Sequence, residues 1–144
     1  MKIAFLDDHP QLAEAISSVV HQTLPDVEVH CFTRWADLEP ELVPSQFDLL
    51  FLDMRLEDCL GAELIPSILE TSPQTRIIIL SAFAQQDLLL KCLNLGIAGY
   101  ISKTSPIEIL LEAVQTVIQG GTYFDENLSL GSETSKKPQS TQLP

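Results

Sequence analysis

The chain has 144 residues, 45% of them hydrophobic, which suits one domain with a real core and argues against disorder. Eight Lys and Arg against 20 Asp and Glu leave a net charge of −12, so this stretch would repel a nucleic-acid backbone and is not expected to bind DNA or RNA directly. Three cysteines without CxxC spacing (Cys31, Cys59, Cys92) predict reduced thiols rather than a disulfide framework or zinc site, and no run nears the roughly 18 apolar residues of a membrane span.

Met1-Lys2 leads straight into an apolar segment rather than a signal peptide, and a cytoplasmic location is expected. That segment, residues 3–6, reads as a first strand and is followed at once by Asp7-Asp8. Residues 27–32 alternate polar and apolar side chains, which predicts a strand at a sheet edge. Residues 47–52 are a nearly unbroken apolar run that ends at Asp53, and residues 76–80 are a similar run that ends at Ser81. The pattern over 85–95 predicts a helix with Leu89, Cys92 and Leu93 toward a sheet and Leu88, Leu90 and Leu95 on its flanks or outer face. A short fifth strand at 99–101 precedes Lys103. Ser105-Pro106-Ile107-Glu108 has the form of a capping box with proline at the first helical position, followed by an apolar stripe from Ile107 to Ile118 and a stop at Gly120-Gly121. Strands alternating with helical stretches predict βα repeats and a doubly wound α/β fold, its five-stranded parallel sheet covered on both faces. From about Gly131 the chain turns to Ser, Thr, Gln, Lys and Pro, so residues 129–144 are expected to be a linker or disordered tail after a folded unit at 1–128.

Asp7-Asp8, Asp53, Ser81 and Lys103 all fall at or just past the C-terminal ends of predicted strands, the rim where ligands bind in open α/β sheets. Three carboxylates there need a compensating cation. A hard ion such as Mg²⁺ suits them, since it takes oxygen ligands from one or two carboxylates together with a phosphate. A carboxylate oxygen of Asp53 can then act as nucleophile toward a phosphoryl group, while the Lys103 ammonium and the Ser81 hydroxyl hold the transferred oxygens.

From Lys2 to about Leu128 the sequence resembles the receiver domains of two-component response regulators, in particular those that precede LuxR/NarL-type helix-turn-helix domains. The resemblance is carried by Asp-Asp-His-Pro at 7–10, Phe-Asp-Leu-Leu-Phe-Leu-Asp at 47–53, Gly61, Ser81-Ala82, Gly-Tyr-Ile-Ser-Lys at 99–103 and Gly-Gly-Thr-Tyr-Phe at 120–124. It implies a flavodoxin-like fold with strand order 2-1-3-4-5, and phosphorylation of Asp53 by a sensor histidine kinase or phosphotransfer protein. It also implies Mg²⁺ bound directly by Asp8 and Asp53, through water by Asp7, and by the Arg55 backbone carbonyl. The phosphoryl group would be held by Ser81, the Ala82 backbone and Lys103, with Ser81 and Tyr100 as the switch pair. Where the family has proline in the loop after the acceptor, this chain has Glu57, which loosens that loop and adds a charge. Arg55 and Phe83 stand at positions where the family varies and tunes phosphoryl lifetime. The expected output is DNA binding through a domain absent from this chain, with Leu88, Leu90 and Leu95 as a candidate face for a homodimer or another partner. No catalysis is expected beyond the chain's own phosphorylation and dephosphorylation.

Single residues have plainer readings. An Asp pair commonly caps a helix, Cys59 has no basic neighbour to activate it, His9 fits an ordinary loop, and Tyr100 could be a partly buried aromatic with its hydroxyl in water. Three other functions share parts of the pattern. An aspartyl-nucleophile phosphatase commonly needs a nearby carboxylate as general acid, which Met54-Arg55 does not supply. A flavin-binding module would need a Gly/Ser/Thr-rich phosphate cradle, and a stand-alone docking receiver would not need an intact acidic site.

Overall fold

The computed structural model describes residues 1–44, 46–82 and 86–124. Six strands form one parallel sheet: β1 (Lys2–Leu6), β2 (Glu28–Phe32), β3 (Leu49–Asp53), β4 (Arg76–Ser81), β5 (Gly99–Ser102) and β6 (Tyr123–Phe124), in spatial order β2-β1-β3-β4-β5-β6. The expected order 2-1-3-4-5 is therefore present, with β2 at the edge, and a sixth strand extends it beyond β5. The five-strand expectation is corrected by this two-residue strand, too short to leave a periodic signal.

Successive side chains of a strand point to opposite faces, and in β1 and β3 both sets are apolar. Ile3, Phe5, Leu49 and Phe51 pack with Ala13, Ile16 and Val20 of helix α1 (Pro10–Thr23) and Leu110, Ala113 and Val117 of helix α5 (Ile107–Ile118). Ala4, Leu6, Leu50 and Leu52 pack on the other face against Leu38 of helix α2 (Trp35–Leu38), Ile65 and Ile68 of helix α3 (Ile65–Thr71), and Leu89 and Cys92 of helix α4 (Gln86–Asn94). This two-sided burial is why those strands read as continuous apolar runs.

Four local expectations shift. Phe47 and Asp48 precede β3 rather than opening it, while Asp53 is its last residue. Phe47 is nonetheless buried, edge-on to Phe32, and Asp48 accepts a hydrogen bond from the Lys2 amide. At α5 the N–H of Ser105 bonds to the Ser102 carbonyl at 3.1 Å and closes a turn, so the helix starts one residue later, with Pro106 as N-cap (ψ 154°) and not at the first helical position. In α4 the buried stripe centres on Cys92, with Leu89 on one side and the half-buried Leu88 and Leu95 on the other. At about 100° per residue this turns Leu93 away from the sheet. Leu93 and Leu90 are exposed, by 39% and 48%, which overturns the sheet-facing assignment of Leu93. Gln85, Phe83 and the 129–144 segment lie outside the described residues.

Candidate functional site

Asp7 follows β1 directly, and its backbone N–H bonds to the Phe32 carbonyl of β2 at 3.0 Å, so the ladder fixes this carboxylate at the rim. Its Oδ1 accepts the His9 amide at 2.8 Å, closing the turn in which Pro10 starts α1. Asp53 ends β3, one strand over, and its Oδ1 accepts the Arg55 amide at 3.2 Å. The loop after it doubles back tightly. The Gly61 N–H bonds to the Met54 carbonyl, and a Cβ at Gly61 would collide with the Asp53 carbonyl oxygen, so only glycine lets the chain close over the acidic residue.

Lys103, two residues past Ile101 in β5, reaches across the end of β4 to the carboxylates that follow β3 and β1. Its Nζ lies 2.8 Å from Asp53 Oδ2, 3.2 Å from Asp7 Oδ1 and 3.1 Å from Asp7 Oδ2. Burial alone would lower the Lys103 ammonium, but its bonds to Asp53 and Asp7 outweigh that and hold it above its ordinary value. For Asp53 burial is the largest influence and pushes the carboxyl up to about 6, with Lys103 opposing and the charge of Asp7 adding to it.

Carboxylate oxygens of Asp7, Asp8 and Asp53 and a ring nitrogen of His9 lie within 4.8 Å of one another. His9 Nδ1 is 2.9 Å from Asp8 Oδ1. Neither Asp8 Oδ1 nor Asp7 Oδ2 accepts a well-directed hydrogen bond, despite the His9 ring and the Lys103 ammonium beside them, and both atoms are buried. Buried carboxylate oxygens of Asp7 and Asp8 without directed donors, clustered with Asp53, are the donor chemistry a hard divalent cation requires. Sequence reasoning gave His9 no place here, because a single loop histidine carries no signal of where its ring goes.

Ser81 ends β4 and is buried, and its carbonyl accepts the Lys103 N–H at 2.7 Å, which ties the two together; Ala82 beside it is exposed. Tyr100 in β5 is wholly buried, which corrects the reading of a hydroxyl in water. Burial raises its phenol above the usual value, and the Ser81 side chain beside it opposes that rise. The acceptor-side loop forms one wall of a cleft of about 240 Å³ lined by Asp8, Thr33, Arg34, Trp35, Leu56, Glu57, Asp58 and Cys59. Cys59 is half-buried, and burial, Glu63 and Asp58 all raise its thiol, which fits an inert residue. No helix among the described residues is long and apolar enough to cross a membrane.

Residues 3–115 match the response regulator receiver domain. The chain belongs to that family. It is 32% identical over 130 residues to the oxygen regulatory protein NreC of Staphylococcus epidermidis, covering 90% of this chain and 60% of the relative. It superposes with a TM-score of 0.76 on the isolated receiver domain of RcsB from Salmonella enterica serovar Typhimurium, solved with a phosphomimetic, at 25% identity over 88% of this chain and 94% of that one. A LuxR-family two-component response regulator from Aurantimonas gives the same TM-score at 22% identity, covering 88% of this chain and 91% of that one. The receiver thus resembles those of LuxR/NarL-type regulators, and it spans about 60% of the length of the NreC relative.

Proposed function

We propose that this receiver is a magnesium-dependent phosphoacceptor whose Asp53 takes a phosphoryl group from a phosphohistidine of a sensor kinase or phosphotransfer protein in the cytoplasm. The observation that carries the reading is the Lys103 ammonium held at 2.8 Å from Asp53 and about equally close to Asp7, a fixed positive charge where phosphoryl oxygens would arrive. An Asp53 carboxylate oxygen attacks phosphorus as the P–N bond breaks, and the imidazole, already protonated on its other nitrogen in the phosphohistidine, takes the bonding pair and leaves neutral. What remains is an acyl phosphate. Asp8 and Asp53 would hold Mg²⁺, with the Arg55 carbonyl and, through water, Asp7. The ion supplies positive charge that offsets the carboxylates and the incoming phosphoryl oxygens. Ser81, the Ala82 N–H and Lys103 hold those oxygens, and Lys103 moves from carboxylate to phosphoryl without crossing the site.

Ser81 drawn toward the phosphoryl group favours Tyr100 inward, a two-state element biased by local charge. The output proposed is transcriptional control through a DNA-binding domain. A self-association face is also proposed on the outer side of α4, where Leu90 is exposed; Leu88 and Leu95, expected to join it, are half-buried in the stripe that packs on the sheet. Sedimentation of a Leu88→Ser/Leu90→Ser protein should show a weaker dimer, and an unchanged monomer–dimer balance with and without phosphoryl would exclude that face.

Intact mass after incubation with a small acyl-phosphate donor and Mg²⁺ tests the main reading: one phosphoryl group should add, and a chelator should prevent it. Undiminished labelling under chelation would contradict it.

A further inference from the structure

β6 is two residues long, yet it is tied in from several sides. The Tyr123 N–H bonds to the Ala98 carbonyl at 2.9 Å, the Arg76 guanidinium donates to the Gly121 carbonyl at 3.0 Å, and the Tyr123 hydroxyl donates to Glu112 of α5 at 2.7 Å. Gly99 admits the strand. A Cβ there would stand 2.7 Å from the Tyr123 carbonyl oxygen, so any side chain at 99 would push β6 away from β5.

The register then brings Phe124 to Tyr100. In a parallel ladder, residues paired across strands point to the same face, and the pairs here are Gly99 with Tyr123 and Tyr100 with Phe124. Phe124 is half-buried and packs against the apolar cluster that contains Tyr100, Leu89 and Cys92. Without β6, β5 would be the sheet edge and Tyr100 would have an open flank. With it, Tyr100 is 0% exposed.

We infer that Phe124 is a positioning residue for the switch: docked β6 closes the outer flank of the Tyr100 pocket and holds the ring inward, and release of β6 lets it turn out. The inference rests on the Ser81–Tyr100 switch proposed above. Since coupling between two sites is reciprocal, whatever favours the inward ring also favours docked β6, and β6 senses the state of Asp53.

The test uses the whole chain. Tyr123→Phe removes the exposed hydrogen bond to Glu112, leaves Tyr100 as the sole tyrosine, and is the reference in which the other variants are made. Labelled with 3-fluorotyrosine, this protein should give one dominant buried ¹⁹F resonance. Phe124→Ala and, independently, Gly99→Ala should each raise the solvent-exposed population about tenfold, the usual size of such coupling, and Phe124→Leu should largely restore the buried signal. Trp35 fluorescence, on the same face of the sheet but in α2 beside the opposite edge strand β2, reports whether each variant folds. An unchanged Tyr100 signal in a folded variant whose residue-123 amide exchanges freely would overturn the inference. Should a variant not fold, the wild type decides: the residue-123 amide should exchange about tenfold more slowly once Asp53 is phosphorylated, and equal rates would overturn the coupling. Intact mass on the same samples separates the two readings, because a wild type that takes no phosphoryl group refutes the acceptor assignment while the phosphate-free ¹⁹F result still decides the role of Phe124.

Discussion

Phe5 and Phe51 face each other across β1 and β3, their rings stacked at 4.7 Å with planes 8° apart. Two residues further along the same strands, and so on the same side of the sheet, come Asp7 and Asp53. Both pairs are almost fully buried, the aromatics at 1% and 0% exposure and the carboxyls at 2% and 3%. One backbone geometry thus carries two side-chain pairs with opposite energetics. Burial of the aromatic pair contributes to stability, whereas burial of the Asp53 carboxylate costs it, and Lys103 offsets only part of that cost. The ladder that locks the core also sets the spacing of the charged site, which needs a rigid frame because its own side chains repel.

Substitutions on the two rungs should separate these roles. Phe51→Ala should lower unfolding free energy by about 3–5 kcal/mol, the cost of a buried aromatic and its cavity, in urea titrations followed by Trp35 fluorescence. A loss as small as that of a surface change would break the comparison. On the charged rung, Lys103→Met should slow phosphorylation by roughly 10²–10³-fold, because the fixed donor to the phosphoryl oxygens is gone, while Mg²⁺ still binds.

Asp53→Asn should act in the reverse direction to Phe51→Ala. In the metal-free protein burial raises the Asp53 carboxyl from its ordinary 3.8 to about 6 against the pull of Lys103. A raised carboxyl favours folding while it is protonated, so its contribution is full below about 3.8 and is lost as pH rises through about 6. The asparagine protein, which cannot ionise there, should be the more stable by about 1–2 kcal/mol near neutral pH after allowance for solvent screening, with the gap closing below about pH 4. A pH-independent difference would remove Asp53 ionisation as the cause. The smallest effect expected is a ranking: Asp8→Ala should weaken Mg²⁺ binding by about 1 kcal/mol more than Asp7→Ala, since a direct ligand loses a metal bond and an outer one only orients water. Equal affinities by calorimetry would contradict that order.

The legibility of the molecule follows the same division. Strands buried on both faces write themselves as apolar runs, and a carboxylate at the end of such a run is conspicuous, so β1, β3, β4, Asp7, Asp8 and Asp53 could be read directly. Lys103 and Ser81 were legible only in company with those carboxylates, since each alone is an ordinary residue. What depended on distant packing was not legible. β6 lies where Gly99 leaves room for the Tyr123 carbonyl, its Phe124 pairs with Tyr100, and neither contact has a local pattern. Leu93 was misplaced because Leu89, Cys92 and Leu93 fit helical spacing as well as the Leu88-Leu89-Cys92-Leu95 stripe that packs. At α5 the turn from Ser102 to Ser105 moved the cap by one residue.

Because Asp7, Asp8 and Asp53 crowd one rim, the most direct test is to find which carboxyl is modified. Protein incubated with a small acyl-phosphate donor and Mg²⁺ can be reduced with borohydride, which converts an acyl phosphate to an alcohol, and its peptides sequenced by mass. The account predicts the reduced residue at Asp53 alone; reduction at Asp7 or Asp8, or an unmodified Asp53 in protein that has taken up phosphate, would contradict it.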